Sequence, residues 1–247
     1  MTDESECCHR PGARGRIGII QPAPGVMLEH EWPRWLPPGV LFPVGRLRMP
    51  APSREGYAAM AAAAPAVARD LATAGVGVVA YACTVGSLSD GREGEAALVA
   101  ALSEAAGVPA ISLADASVRA LRAVGAARIA ILTPYSPETN RWVADYARSC
   151  GFTIAAVVAT PVGIATVGDL PPAAIVAGAV AALENSPEVD ALWIPCTAIQ
   201  TLDAIAAIEA VTRRPVVSGS QALLWRALAS LGIADPVRGA GSLFART

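Results

Sequence analysis

Cys83 and Cys196 each close a short apolar run and each is followed by threonine, in Val79-Ala80-Tyr81-Ala82-Cys83-Thr84 and Leu192-Trp193-Ile194-Pro195-Cys196-Thr197. Runs of this length and character read as buried strands. A cysteine that leaves a strand and enters a helical stretch has its sulfur near backbone N–H groups that lack partners. That setting favours anions and can bring a thiol below its ordinary pKa of about 8.5. The expected catalytic pair is therefore Cys83 and Cys196, with the N–H groups of Thr84, Val85, Thr197 and Ala198 holding a substrate carboxylate. One such cysteine reads as a small buried hydrophobe. Two at corresponding places read as chemistry. Cys150 has no counterpart, and Cys7 and Cys8 lie in a polar tail and are given no role.

Other catalytic sets are poorly supplied. His9 and His30 are the only histidines, so a Ser-His-Asp or Cys-His mechanism would rest on His30 alone. The five cysteines are odd in number and show no CxxC spacing, which indicates free thiols with neither a disulfide framework nor a zinc site. There is no Gly-Lys-Ser/Thr loop for a nucleotide. Gly75-Val-Gly77 precedes its strand, the wrong side for cradling a pyrophosphate. Two thiols without an obvious base or metal fit chemistry at carbon with no cofactor, one thiol on each face of the substrate.

The net charge of −2 with 16% charged residues gives no reason to expect nucleic acid or an anionic membrane as partner. The partner expected is a small carboxylate substrate, with a homo-oligomer as a further expectation that the sequence leaves open. No apolar run reaches the roughly 18 residues of a membrane span, and Met1-Thr-Asp-Glu-Ser-Glu6 is acidic and unlike a signal peptide. A soluble cytoplasmic protein is expected.

The elements that must position the thiols repeat with a period near half the chain. Arg16-Ile-Gly-Ile-Ile-Gln-Pro22 returns as Arg128-Ile-Ala-Ile-Leu-Thr-Pro134. Pro109-Ala-Ile-Ser112 returns as Pro215-Val-Val-Ser218, each leading to a helical stretch that ends in glycine, at Gly125 and Gly232. Strand patterns at Ile17–Ile20, Val40–Val44, Ala110–Leu113, Arg128 onward, Thr153–Ala159, Ala191–Ile194 and Val216–Ser218 alternate with helical ones. The helices are expected at Ser53–Gly75, Glu93–Gly107, Ala116–Val124, Pro137–Ser149, Pro172–Glu184, Ala204–Val211 and Ala222–Leu231. The alternation predicts parallel βαβ units. The fold class is α/β, with two similar Rossmann-like (flavodoxin-like) lobes related by a pseudo-twofold axis and the active site in the cleft between them. Residues 1–14 are expected to be a disordered tail, 15–126 the first lobe and 127–219 the second. The segment 220–247 is expected to pack back on the first lobe.

In such sheets the loops at the carboxyl ends of the strands line the ligand crevice. That brings Gln21-Pro22-Ala-Pro-Gly25 to the rim, so Pro22 and Gly25 join the substrate-binding candidates. The same position is expected for Tyr135 and for Gly163 in the loop Pro161–Gly168. Arg46 and Arg48 approach the rim too, where the simpler reading is a solvated loop. The Pro- and Trp-rich stretch from Glu29 to Pro38 is assigned no element.

The two Cys-Thr strand ends, Arg16–Pro22, Arg128–Tyr135 and the close Val237–Leu243 together resemble the aspartate/glutamate racemase superfamily, and within it the maleate cis-trans isomerase and arylmalonate decarboxylase branch. The resemblance spans nearly all of Arg16–Phe244. It implies the same two-lobed fold and no cofactor. Tyr81-Ala82-Cys83, Pro134-Tyr135, Pro195-Cys196, Arg46-Leu-Arg48-Met49 and Gly239-Ala-Gly241 look like a maleate isomerase. There the residue matching Cys83 attacks the double bond, the one matching Cys196 handles the proton, and the one matching Tyr135 binds a carboxylate. Thr201-Leu-Asp-Ala-Ile205 and Pro215–Ser218 look like the decarboxylases, which carry only the second cysteine. By cysteine count the resemblance implies an isomerase or racemase, with an arylmalonate-type decarboxylase or a non-catalytic acid-binding protein as alternatives. Where the isomerases place two asparagines that grip maleate, this chain has Gly25 and Gly163, which removes two amides and enlarges the pocket.

Overall fold

The computed structural model describes residues 10–160 and 166–245. Two parallel sheets are built the same way. In the first, β1 (Gly15–Pro22) lies between the short strands β2 (Val40–Leu41) and β3 (Val44–Leu47) on one side and β4 (Val78–Tyr81) on the other. β5 (Ala110–Ser112) completes that sheet. In the second, β6 (Arg128–Thr133) lies between β7 (Thr153–Ala159) and β8 (Ala191–Ile194), and β9 (Val216–Ser218) completes it. β1, β4 and β5 thus correspond in order to β6, β8 and β9. The sequence repeat is a repeat of strand order.

The central stretches of the inner strands are apolar because helices cover both faces, as parallel sheets require. Ile17, Ile19, Val78 and Ala80 of the first sheet and Ala130, Leu132, Leu192 and Ile194 of the second belong to one continuous buried cluster. The lobes therefore share an apolar core instead of meeting across water.

The helices are α1 (Met27–Trp35), α2 (Arg54–Ala72), α3 (Thr84–Leu88), α4 (Gly91–Ala106), α5 (Leu113–Ala123), α6 (Pro137–Ser149), α7 (Pro172–Glu184), α8 (Leu202–Thr212) and α9 (Gly219–Ser230). Several departures from expectation have local causes. α1 fills the stretch left without an element. Leu28, Trp32 and Trp35 lie at i, i+4 and i+7 and are buried, which outweighs the backbone bond missing at Pro33. The single strand expected over Val40–Val44 is two, separated by Pro43, whose carbonyl still accepts from Ile19 N at 2.8 Å.

The end of the chain divides its contacts. α9 packs on α5, and Arg14 pairs with Asp235 at 2.5 Å, both toward the first lobe. The stretch from Gly239 was expected there as well, but Ser242 N and Oγ donate to Glu209 of α8 at 2.9 and 2.8 Å, and Leu243 joins a buried cluster formed by residues of both lobes. Glu209 is the physical reason: its carboxylate also accepts from Val216 N at 2.9 Å and gathers the tail to β9.

Candidate active site

The carboxyl ends of β1, β4, β6 and β8 converge on one cavity of about 410 Å3. Its lining takes Gln21, Pro22, Pro24 and Gly25 from the loop after β1, Cys83, Thr84 and Val85 from the end of β4, and Pro134, Tyr135, Ser136 and Thr139 from the start of α6. Cys196, Thr197 and Ala198 come after β8, and Met49, Pro52 and Val167 supply apolar wall. Of the ten residues expected in the site, nine line this cavity. Gly163 lies outside the described residues. His30 is exposed on α1 and is not in the lining.

The two sulfurs have matching surroundings. Gly86 N donates to Cys83 Sγ at 3.4 Å and Val85 N also points at it. Ala198 N donates to Cys196 Sγ at 3.4 Å and Ile199 N also points at it. Each thiol thus faces the N–H groups two and three residues ahead, as a strand end turning into a helical bend dictates. Gly86 is needed for this approach: a Cβ there would stand 2.8 Å from the Tyr81 hydroxyl and 3.1 Å from Cys83 Sγ.

The threonines cross over. Thr84 Oγ1 donates to the carbonyl of Pro195, the residue before Cys196. Thr197 Oγ1 donates to the carbonyl of Ala82, the residue before Cys83, at 3.4 Å. The Thr84 hydroxyl proton therefore faces the opposite lobe, which leaves the backbone N–H as its donor toward a ligand.

Burial changes the electrostatics from those expected. Cys83 is 8% exposed and Cys196 7%. Desolvation pushes the Cys83 thiol up to about 12, beyond what the Gly86 and Val85 N–H groups recover, and Cys196 adds to the effect. Cys196 is raised for the same first reason, while the Tyr135 hydroxyl and the Ala198 and Ile199 N–H groups work against it. The lowered pKa expected from the N–H groups alone is thus reversed, because the same burial that aims those groups removes water from the sulfur. Both resting thiols are protonated at neutral pH.

Tyr135 stands beside both the Cys196 thiol and the Thr84 hydroxyl, and burial holds its own proton firmly. Its loop is fixed from α6: Asn140 Nδ2 donates to the Tyr135 carbonyl at 3.2 Å, and Thr133 Oγ1 donates to Asn140 Oδ1 at 2.6 Å. Tyr57 and Tyr81 pack in the same buried cluster as Cys83.

Several site residues were not read from the sequence. Ser136 and Thr139 form the N-cap of α6, where Thr139 N donates to Ser136 Oγ at 3.2 Å. Ser-Pro-Glu-Thr after a strand is a helix-start signal that would have found them. Val167 and Pro52 carry no such signal. Arg46, expected as a solvated rim cation, instead ties the loop after β1: its Nη1 donates to the Ala23 and Gly25 carbonyls, each at 2.8 Å, and its Nη2 to Glu29.

A cavity lined by two protonated thiols, a buried phenol and backbone N–H groups has the groups to exchange protons at a carbon atom and hold a carboxylate. Known proteins with the same architecture do related chemistry. The family model described as arylmalonate decarboxylase matches residues 17–244. A maleate isomerase of Pseudomonas putida is 33% identical, over 92% of this chain and 96% of its own. The arylmalonate decarboxylase of Bordetella bronchiseptica is 31% identical, over 92% and 95%. A cysteine-to-serine mutant of Nocardia farcinica maleate cis-trans isomerase, with a covalently bound succinylcysteine intermediate, superposes with a TM-score of 0.87 at 30% identity. That match covers 94% of this chain and 99% of the mutant.

Proposed function

The chain belongs to the arylmalonate decarboxylase and maleate isomerase family, and from that premise we propose that it is a cofactor-independent isomerase of a small carboxylic acid, with Cys83 as nucleophile or base and Cys196 as acid and base. The observation that carries this reading is the presence of two thiols in one cavity, each with its own pair of N–H groups. The covalent intermediate in the Nocardia relative supports a cysteine as the attacking group.

For an unsaturated acid, Cys83 first releases its proton to water, and the resulting thiolate adds to one alkene carbon as the π electrons move toward the carboxylate. The resulting enediolate is stabilised by Tyr135 and the N–H groups of Thr84 and Thr197. Cys196 protonates the neighbouring carbon, the former double bond rotates as a single bond, and the reverse steps expel Cys83 and return the proton. For an acid with a hydrogen on its α-carbon, the same pair inverts the centre, one thiolate taking the proton and the other thiol delivering one.

A decarboxylase of a malonate-type acid is the second reading. It is favoured by the apolar wall of Pro22, Pro24, Met49, Pro52 and Val167 and needs only Cys196 to reprotonate the enediolate. The test is turnover of maleate, a 2-arylpropionate and an arylmalonate followed by NMR in deuterated water. Isomerised product or deuterium exchange at the α-carbon without loss of CO2 is the expected result. CO2 release as the only reaction would replace the first reading by the second.

A further inference from the structure

We propose that Gln21 sets the class of substrate: its carboxamide oxygen selects a neutral hydrogen-bond donor, an amide or a hydroxyl, over a second carboxylate at the Gly25 end of the cavity. The inference rests on the reading of this cavity as the site of an acid-transforming enzyme and adds what the acid must carry besides its reacting carboxylate.

Gln21 is the last residue of β1 before Pro22, and at 2% exposure it is a buried amide in the lining. Its orientation is set by its neighbour. Nε2 lies 3.0 Å from Glu29 Oε2, and a carboxylate only accepts, so the NH2 must face Glu29 and the oxygen must face away. Arg46 locks Glu29 from the other side. Oε1 is left 3.6 Å from the point where a side chain on Gly25 would begin, and no described residue donates to it. Among the described residues beyond those flanking Gly25, the other atom within 4 Å of that point is the Pro22 carbonyl oxygen, at 3.3 Å.

The rest of this end offers acceptors. Pro22 and Pro24 have no N–H, and Gly25 N is bound to the Pro22 carbonyl at 2.9 Å. The Arg46 guanidinium is turned to the Ala23 and Gly25 carbonyls and to Glu29. Val26 and Met27, which open α1, are not in the lining. An anionic group placed here would meet carbonyl oxygens, whereas an –NH2 or –OH would satisfy Gln21 Oε1. A ligand donor gains this acceptor as a partner, whereas a carboxylate would be repelled by it, so the site favours the neutral donor.

Calorimetric binding of succinate and of its half-amide, succinamate, to the wild-type protein tests this without requiring turnover. The half-amide should bind at least ~10-fold more tightly, the ratio expected of one hydrogen bond gained and one repulsion avoided. Gln21→Met keeps the length of the side chain and removes the acceptor, and should bring the two affinities within ~2-fold. Glu29→Gln keeps Gln21 but frees its amide to turn, and should shift the ratio toward succinate, which a merely structural role for Gln21 would not do. Succinate binding as well as or better than succinamate, a ratio unchanged in both variants, or no binding of either compound overturns the proposal. NMR turnover of maleate and its half-amide keeps the two readings separable. Selective succinamate binding with no turnover of either would sink the isomerase and leave Gln21 standing, while faster turnover of maleate would do the reverse.

Discussion

The two lobes present the same strand, cysteine and threonine to the cavity and differ in the path of the chain beyond them. After Cys83 the chain enters α3 at once, and Tyr57 and Tyr81 close the space behind the sulfur. After Cys196 it makes an open turn, and α8 begins only at Leu202, with its first N–H groups held by a residue of the other lobe: Glu31 Oε1 accepts from Thr201 N at 2.5 Å and Leu202 N at 2.6 Å. Tyr135 stands at Cys196. The difference separates what duplication supplies from what it leaves free. The backbone cradle of each thiol is copied, whereas the side chains around it are not: the Tyr135 hydroxyl works against the rise that burial imposes on Cys196, while at Cys83 the backbone N–H groups of Gly86 and Val85 do so. That asymmetry supports the proposed division of labour, with acid–base work at Cys196 and addition by Cys83.

Removing one thiol at a time is the strongest way to break this comparison. Cys196→Ala should lower turnover of every substrate by about 10²–10⁴-fold with an unchanged circular dichroism spectrum, and a near-normal rate would remove Cys196 from the chemistry. Cys83→Gly should abolish isomerisation or racemisation yet spare any decarboxylation. The product of a prochiral malonate should then be a single enantiomer by chiral chromatography, where the wild type slowly scrambles it. Equal enantiomeric purity from both proteins, with no isomerisation by either, would make Cys83 a packing residue.

Next in size is the dependence on pH. Both thiols are raised by burial, so the thiolate fraction grows as pH rises, about tenfold per unit below the folded pKa. Iodoacetamide labelling of Cys83 and Cys196, resolved by peptide mass spectrometry, should accelerate steadily from pH 7 to 10. A plateau near pH 7 at either site would show a thiolate already formed there. The sign for stability is opposite. A folded pKa of about 12 against an ordinary 9.0 means that Cys83 leaves stability undiminished below pH 9 and reduces it from 9 toward 12, as the unfolded thiol ionises first.

Tyr135→Phe should cost about 1.5–3 kcal/mol in kcat/KM, the range for a hydrogen bond to a developing charge. An unchanged value would place the hydroxyl outside the reaction. A similar or smaller effect is expected on stability at the other lobe-crossing contact. Glu31→Leu leaves two helix N–H groups without an acceptor and should lose about 2 kcal/mol in chemical denaturation, whereas Glu31→Gln keeps an oxygen for them. Because burial raises the Glu31 pKa despite those N–H groups, Glu31→Gln should also lose less at pH 8 than at pH 5. Equal losses for the two substitutions would make Glu31 a packing residue.

The two-lobed α/β pattern and the cysteines at the strand ends were legible because both rest on local pattern: apolar runs of strand length, repeated landmarks, and a cysteine where each run stops. Glu31 was not. Nothing in Glu29-His30-Glu31 tells which carboxylate will cross to the other lobe, since its partners lie about 170 residues away. The i, i+4, i+7 spacing of Leu28, Trp32 and Trp35 was present, but the prolines of the stretch drew the reading toward a loop. The thiol pKa was misjudged for a similar reason: N–H groups at a strand end can be inferred from sequence, whereas the depth of burial is set by the packing of both lobes. Gln21 stood in plain view beside Pro22, yet only Glu29 and Arg46 decide which end of its amide meets the substrate.

The crossed threonine bonds join the two jaws of the site. Each jaw is riveted to the backbone of the other one residue before the opposing sulfur, at Pro195 and at Ala82, and the apolar core continues behind them. Each lobe thus helps to hold the strand end that carries the other's cysteine. Under the proposed function, the spacing offered to a reacting carbon is set by both lobes together and by neither alone.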